Sequence, residues 1–418
     1  MKVARNMTLS EPMTAVPQGR WRFDGTDKLV AASIAMAGIL SSRGKSLRVT
    51  VGANSIVIGN GTSAGEPVEF RLSSEKIFSH LFRRMRLIDF VTAYFDGHLQ
   101  VIGPISEAVD VLYEMNLSTD RPETPLEFYK DLVARSLKVL HPIFTKRFES
   151  LEHYSQSASA YELFLDNYMQ YTCGHFPKGD ETLDEAQLAK FNLIEGLANK
   201  YMGPLIGKAH LDIGSGWGGM GAYFRNELGM RSIGNTNCVR QMEYAQQRYG
   251  SEILYGDFLE LKKHKQGFDL VTIVGMIEHL TPYRRSQLLE VVRDLLTPNG
   301  IVYLQCITKP PVWWGGDTYR VAKREIFPGH FLETRSQTGA RLEASGFSIL
   351  EQHEHHSDYA LTTSHWVASI QRNEDALVRI LGARGYRMYL GYLAFASKLF
   401  SIEGRGSLMR YVFKKAPA

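Results

Sequence analysis

The run Ala209-His210-Leu211-Asp212-Ile213-Gly214-Ser215-Gly216-Trp217-Gly218-Gly219-Met220 constrains the fold more than any other stretch of the chain. Apolar residues lead into it, four glycines interrupt it, and residues 220–228 follow with helical spacing, so it reads as strand, tight loop and helix. Without a Cβ, the glycines let backbone N–H groups approach a bound molecule closely, and the positive end of the following helix faces the same loop. Gly214, Gly216 and Gly219 satisfy G-x-G-x-x-G, which alone would also describe a dinucleotide site.

The next strand argues against a dinucleotide. Arg231-Ser232-Ile233-Gly234-Asn235-Thr236 ends without the acid that would hold the ribose hydroxyls of a nicotinamide cofactor. Asp212, just ahead of the glycines, suits the charged amino-acid end of S-adenosylmethionine instead. Asp257, beyond a third apolar stretch at 252–255, is placed to accept from an adenine amino group. Apolar stretches at 209–213, 232–235, 252–255, 268–274 and 300–307 alternate with amphipathic runs, the pattern of a parallel, doubly wound sheet whose ligands lie at the strands' carboxyl ends. A last strand pair at 347–353 and 365–369 is expected to close the sheet edge, with helix resuming over 375–399.

A chain of 418 residues, 44% hydrophobic, can bury two cores, and the expected boundary falls in a helical linker near residue 140, giving domains 1–140 and 141–418. Ahead of it the pattern predicts a helix at 28–42 and a hairpin of 46–51 and 55–58 across Gly52-Ala53-Asn54. A strand at 68–72, helix from residue 73, a turn and strand within 94–103 and a helix at 105–115 follow. The net charge of +4 lacks the concentrated charge of a nucleic-acid binder. Arg83, Arg84 and Arg86, interleaved with Phe78, Leu81, Phe82, Leu87 and Phe90, fit either a helix with a solvated basic face or a membrane-surface contact. Residues 1–18 lack the apolar core of a secretory signal, and the apolar run 29–40 is too short to span a bilayer. Three separated cysteines, Cys173, Cys238 and Cys306, argue against a disulfide framework and for a cytoplasmic setting.

Two further constellations carry candidate chemistry. At the exit of the fourth strand, Gly275-Met276-Ile277-Glu278-His279-Leu280 offers a carboxylate that either manages a proton or caps the next helix. Cys173 lies in the aromatic-rich turn Tyr171-Thr172-Cys173-Gly174-His175-Phe176 and on its own reads as a buried structural cysteine. His353, His355 and His356 suggest a metal, but no ligand set at a defined spacing completes a site; they are expected on a solvated surface, with no metal.

Several separated blocks, in one order, resemble the cyclopropane fatty-acyl phospholipid synthase family, which includes mycolic-acid cyclopropane synthases and related fatty-acid C-methyltransferases. The resemblance runs from about Tyr94 to the C-terminus. It is carried by His153-Tyr154, the turn at 169–173, Leu183-Asp184-Glu185-Ala186-Gln187-Leu188-Ala189-Lys190, the glycine loop, Thr236 with Gln241, the turn at 275–279, Ile326-Phe327-Pro328-Gly329 and Asp358-Tyr359. It implies an α/β chain: a doubly wound, Rossmann-like class I methyltransferase domain preceded by a smaller α+β lipid-binding domain.

The resemblance also implies site residues. S-adenosylmethionine would meet Tyr171, Thr172, Gly214, Gly216, Thr236 and Gln241, and a bicarbonate pocket would form from Cys173, Glu278, the backbone at Ile307, and Tyr359. Two departures stand out: Gln305 occupies a pocket position where the family usually carries histidine, and Ser155-Gln156-Ser157-Ala158-Ser159 replaces an Asp and Gly-Asn-Asp run after His-Tyr. Glutamine donates a hydrogen bond but carries no charge. The implied reaction is attack by an acyl-chain alkene on the sulfonium methyl, followed by proton loss to bicarbonate and ring closure. The implied partner is an unsaturated phospholipid at the inner membrane surface, met by peripheral contact and without nucleic acid; a homodimer is left open. The alternatives are a methyl- or methylene-branched product, a small-molecule methyltransferase, and a non-catalytic lipid-binding relative.

Overall fold

A computed structural model describes residues 40–59, 66–115, 158–264, 267–310, 330–402 and 405–417. The chain divides into two compact units, Met1–Leu117 and Ser118–Ala418. The boundary expected near residue 140, and all but the end of the expected helix at 28–42, lie outside the described residues.

In the first unit, β1 (Leu47–Val51) and β2 (Asn54–Ile58) form the expected hairpin; β3 (Val68–Leu72) joins β1 in parallel and β4 (Leu99–Ile102) pairs antiparallel with β3. The helical pattern from residue 73 becomes two helices, α1 (Glu75–Arg84) and α2 (Leu87–Phe95). Met85, left-handed at φ 48°, ends the first, and Arg86 is extended. Arg83 and Arg84 therefore occupy the last turn of α1, where cations oppose the negative end of the helix dipole. Arg84 also pairs with Asp89 at 3.4 Å. The inner faces bury Phe78, Phe82 and Phe90, whose rings meet at 4.6 and 5.6 Å. Helix α3 (Ile105–Glu114) completes this α+β unit.

The second unit is built on a seven-stranded sheet. Its strands are β5 (Ala209–Ile213), β6 (Arg231–Thr236), β7 (Glu252–Tyr255), β8 (Phe268–Val274), β9 (Leu296–Thr308), β10 (Phe347–Glu354) and β11 (Ser407–Lys415), in the order β10-β11-β9-β8-β5-β6-β7. Strands β5 to β9 run parallel, as alternation with helices α4 (Leu183–Met202), α5 (Gly219–Asn226), α6 (Val239–Tyr249) and α7 (Pro282–Leu295) requires, and α8 (Arg335–Ala344) precedes β10. The strand order reverses between β5 and β8, where α/β sheets open a ligand crevice at their carboxyl ends.

The expected closing strand at 365–369 is corrected by the structure. Those residues lie within helix α9 (His356–Arg372), and the edge is completed by β11, inserted antiparallel between β9 and β10. Buried Asp358, Thr362, Thr363, Trp366 and Ile370 recur at intervals of three and four, which is helical periodicity. Helix α10 (Glu374–Phe400) follows, kinked at Gly382. Among the described residues, no helix is long and apolar enough to cross a membrane.

Candidate active site

Two adjoining cavities open at the carboxyl ends of β5, β6, β8 and β9. The larger, near 150 Å³, lies over the glycine loop. Its lining includes all eight residues expected to contact the methyl donor: Tyr171, Thr172, Asp212, Gly214, Gly216, Thr236, Gln241 and Asp257. Gly214 and Ser215 both donate backbone N–H groups to the carbonyl of Asn235, at 2.9 Å, so the loop is stitched to the end of β6. The Asn235 side chain in turn donates to the carbonyls of Leu254 and Gly256. Gly216, at φ +53°, has open space where a side chain would project, and a residue with a Cβ would be strained there in any case.

Asp212 brings a buried carboxyl group to this cavity. It is buried and accepts from the Thr272 hydroxyl at 2.8 Å. Thr272 has one proton and spends it on Asp212, so it accepts from His210 Nε2 at 2.9 Å, and His210 Nδ1 accepts from Ser232 at 2.8 Å. Burial depresses His210 to about 3, so it is neutral, and burial raises Asp212 to about 7. A cationic ligand beside Asp212 would favour its charged form. Thr236 donates to the Gln241 carbonyl oxygen at 2.8 Å, fixing both side chains. Asp257 is more committed than expected: it accepts from Leu259 N and pairs with Arg284, so its carboxylate caps a 3₁₀ turn as well as lining the cavity.

A loop of residues 166–173 walls both cavities. Asp166 accepts from the backbone N–H groups of Tyr168 and Gln170 at 2.8 and 2.7 Å, and Met169 is left-handed at φ 56°. Helix α4 grips the loop from behind. Gln187 donates to the Thr172 carbonyl at 2.7 Å, and buried Lys190 donates to the Thr172 hydroxyl at 2.8 Å and to the Gln170 side chain at 3.3 Å. Burial lowers Lys190 to about 8. Both residues lie in a block that carried the family resemblance without an assigned role; the signal available in sequence was a lysine at the same helical phase as buried Ala186 and Ile194.

The inner cavity meets the first at Tyr171, Thr172, Gly275 and His279, and gathers all five expected catalytic positions: Cys173, Glu278, Gln305, Ile307 and Tyr359. Its volume near 50 Å³ exceeds the roughly 10–15 Å³ a single water needs. Glu278 does not cap α7, whose N-cap is Thr281. Instead, Glu278 Oε1 accepts from Ile307 N at 2.7 Å, while buried Oε2 has no hydrogen-bond partner among the described residues. The Ile307 N–H expected to face a ligand is thus spent on holding this carboxylate. Burial raises the Glu278 pKa and pushes the Cys173 thiol up to about 12, so Cys173 stays protonated and donates to the Gly174 carbonyl. Tyr359, in the first turn of α9, packs against Phe400, and Trp366 packs 4.9 Å from Tyr171. Tyr392, Leu393, Ala396, Phe400 and Leu408 give the cavity an apolar far wall.

His353 is exposed, as expected, but His355 is not simply a surface residue. Among the described residues, His175, His355 and Asp358 bring three donor atoms within 4.8 Å of one another. Arg410 already fills the cation position there, 3.2 Å from both Asp358 Oδ2 and His175 Nδ1. His153-Tyr154, most of the serine-rich segment after it and the block at 326–329 lie outside the described residues.

The family profile described as mycolic acid cyclopropane synthetase matches residues 144–407. The chain belongs to that family. MmaA2, a cyclopropane mycolic acid synthase of Mycobacterium tuberculosis, is 27% identical over 274 residues, which cover 62% of this chain and 94% of that one. A probable fatty acid methyltransferase of Pseudomonas putida is 29% identical over 322 residues, covering 73% and 77%. The solved structure of the cyclopropane synthase MmaA2 superposes with a TM-score of 0.59 at 25% identity, over 64% of this chain and 98% of that one. The cyclopropane synthase CmaA1 complexed with SAH and CTAB shares the fold at a TM-score of 0.58, 24% identity and coverage of 64% and 97%. The second unit is thus a Rossmann-like class I methyltransferase of the cyclopropane synthase family, with S-adenosylmethionine as methyl donor.

Proposed function

We propose that this cyclopropane synthase relative transfers the methyl of S-adenosylmethionine to the double bond of an unsaturated phospholipid acyl chain, and that the product is a cyclopropane. The observation that carries this reading is the buried Oε2 of Glu278, without a hydrogen-bond partner among the described residues, in a cavity that opens onto the donor cavity and has an apolar far wall. Such a cavity suits an alkyl chain with its reacting carbons at the polar end. The donor's methyl would enter at the junction formed by Tyr171, Thr172 and Gly275. The alkene π pair forms a bond to that methyl as the carbon–sulfur bond breaks, leaving a cation on the chain. Tyr171, Tyr359 and Trp366 offer aromatic faces there.

Ring closure needs a base for one proton of the added methyl. The residues present fit bicarbonate: Glu278 Oε2 has no donor among the described residues, Gln305 Nε2 carries a second N–H, and the Cys173 thiol adds no negative charge. Bound there, bicarbonate supplies the proton acceptor. Glu278 holds it, Ile307 N holds Glu278, and the apolar wall excludes water from the cation. One observation favours a second product: neutral Gln305, where the family usually has histidine, binds an anion less tightly; a proton lost from the chain leaves an unsaturated methyl branch, and a hydride shift followed by proton loss from the added methyl leaves a methylene branch.

The phospholipid substrate places the chain at the cytoplasmic membrane surface, with Arg83 and Arg84 at an exposed helix end as candidate headgroup contacts. The test is incubation of the full chain with methyl-labelled donor and vesicles of monounsaturated phospholipid, neutral or anionic, alongside the free fatty acid. Label in fatty esters released from the vesicles, higher on anionic vesicles at low salt, is the expected result. Label confined to the free acid or to a headgroup nitrogen contradicts the reading.

A further inference from the structure

Strand β11 holds the run Leu408-Met409-Arg410-Tyr411-Val412-Phe413, apolar but for one arginine. Arg410 is only 3% exposed, and a buried guanidinium must be matched by acceptors. In the antiparallel register Arg410 lies directly opposite Gln305 of β9, so the two side chains share a face of the sheet. Its N–H groups go to Gly174 O at 3.1 Å, Asp358 Oδ2 at 3.2 Å, His175 Nδ1 at 3.2 Å and Gln305 Oε1 at 3.4 Å. Three of these four partners are, or adjoin, residues of the inner cavity: Cys173, Gln305 and Tyr359.

We propose that Arg410 is a positioning residue for the reaction: it fixes the Gln305 amide with its nitrogen toward the inner cavity and polarises it. A glutamine amide has two ends of similar size and opposite hydrogen-bonding character. A guanidinium only donates, so the amide must present its oxygen to Arg410, and the Tyr303 hydroxyl donates to that same oxygen at 3.1 Å. The reversed amide would set Nε2 against the Arg410 N–H and Oε1 against the Cys173 carbonyl, which now accepts from Nε2 at 3.1 Å. One N–H of Gln305 is therefore committed to Cys173, and the other is a donor that Arg410 strengthens by drawing electron density toward Oε1. Asp358 balances the guanidinium and holds it in place. The chain thus keeps a neutral donor in the cavity with a permanent cation directly behind it. As applied to an anionic base, the inference rests on the function proposed above.

The test uses the full chain with Arg410→Gln, Gln305→Glu and the double variant Gln305→His/Arg410→Gln. Binding of [13C]bicarbonate is followed by NMR, S-adenosylmethionine affinity by calorimetry, and the ratio of ring to branched product by mass analysis. Arg410→Gln is expected to leave donor affinity unchanged, to weaken bicarbonate binding about tenfold, the scale of one lost charge-assisted hydrogen bond, and to lower the ring fraction. The double variant should recover both. Gln305→Glu keeps a partner for Arg410 and guards against loss of folding in the Arg410 variant. It removes the N–H donor, so bicarbonate binding should fall at least as far while donor affinity holds. Unchanged bicarbonate binding and product ratio in folded Arg410→Gln, or in Gln305→Glu, would overturn the proposal. If the wild-type chain binds no bicarbonate, the base reading fails by itself. The product ratio then decides on Arg410: a shift in Arg410→Gln supports the positioning role, and no shift overturns it.

Discussion

The glycine-loop cavity and the inner cavity share a wall but are made differently. The first is mostly backbone: Gly214 and Ser215 bonded to Asn235, and a turn in which Gly216 leaves open space. The second is an assembly of side chains from distant parts of the chain, Cys173, Glu278, Gln305 and Tyr359, held by buried polar contacts. A backbone site fails through conformation, whereas a side-chain site fails through one missing hydrogen bond. Damage to each should therefore be separable.

The largest effect is expected at Gly216. Valine there would force a β-branched residue into the left-handed region and fill the open space over the loop, so donor affinity should fall by about 100-fold or more. Unchanged affinity by calorimetry would remove the loop from the donor site. Glu278→Gln sharpens the contrast from the other side. Turnover should drop by about 100-fold, the usual scale for a lost acid–base group, because the base that Glu278 holds is lost with it, while donor affinity stays close to wild type. A parallel loss of donor affinity would show that the two cavities do not act separately.

Lys190 tests the shared wall. Lys190→Met removes the bonds to Thr172 and Gln170 while keeping the buried stem, so donor affinity and turnover should both fall, each by about tenfold. An effect on turnover alone would place Lys190 with the inner cavity. The smallest effect is a proton. Asp212, raised to about 7 by burial, is about half protonated at neutral pH, and a cationic donor favours its carboxylate. Donor binding at pH 7 should thus release about half a proton, and affinity should rise from pH 6 to pH 8. Calorimetry in buffers of different ionisation heat measures this, and proton uptake would contradict it.

The same contrast explains what could be read from the chain. The glycine loop was legible because left-handed backbone and close approach demand glycine, and a strand end placed Asp257 by topology, whereas Thr236 came with the family likeness. Glu278 stood out at the exit of the fourth strand with two readings open, and the family likeness joined it to Cys173 in one pocket, since an isolated acid or thiol carries no spacing signal. Lys190 and Arg410 remained hidden because their partners lie 18 to 20 and 52 to 236 residues away. Strand β11 was missed for a related reason: inserted between β9 and β10, it is buried on both faces and shows no alternation. The misread strand at 365–369 failed in the opposite sense, as a short window hid a helical period spread over 358–370.

The central claim, methyl transfer to an acyl double bond with ring closure, is tested most directly with a donor whose methyl carries three deuterium atoms. The full chain is incubated with this donor and vesicles of monounsaturated phospholipid, and the released fatty esters are analysed by mass. A cyclopropane forms by losing one deuteron from the added methyl, so the account predicts a product that retains two deuterium atoms and has no double bond. Retention of all three on a branched chain would contradict ring closure while leaving methyl transfer in place, and an unlabelled acyl chain would contradict both.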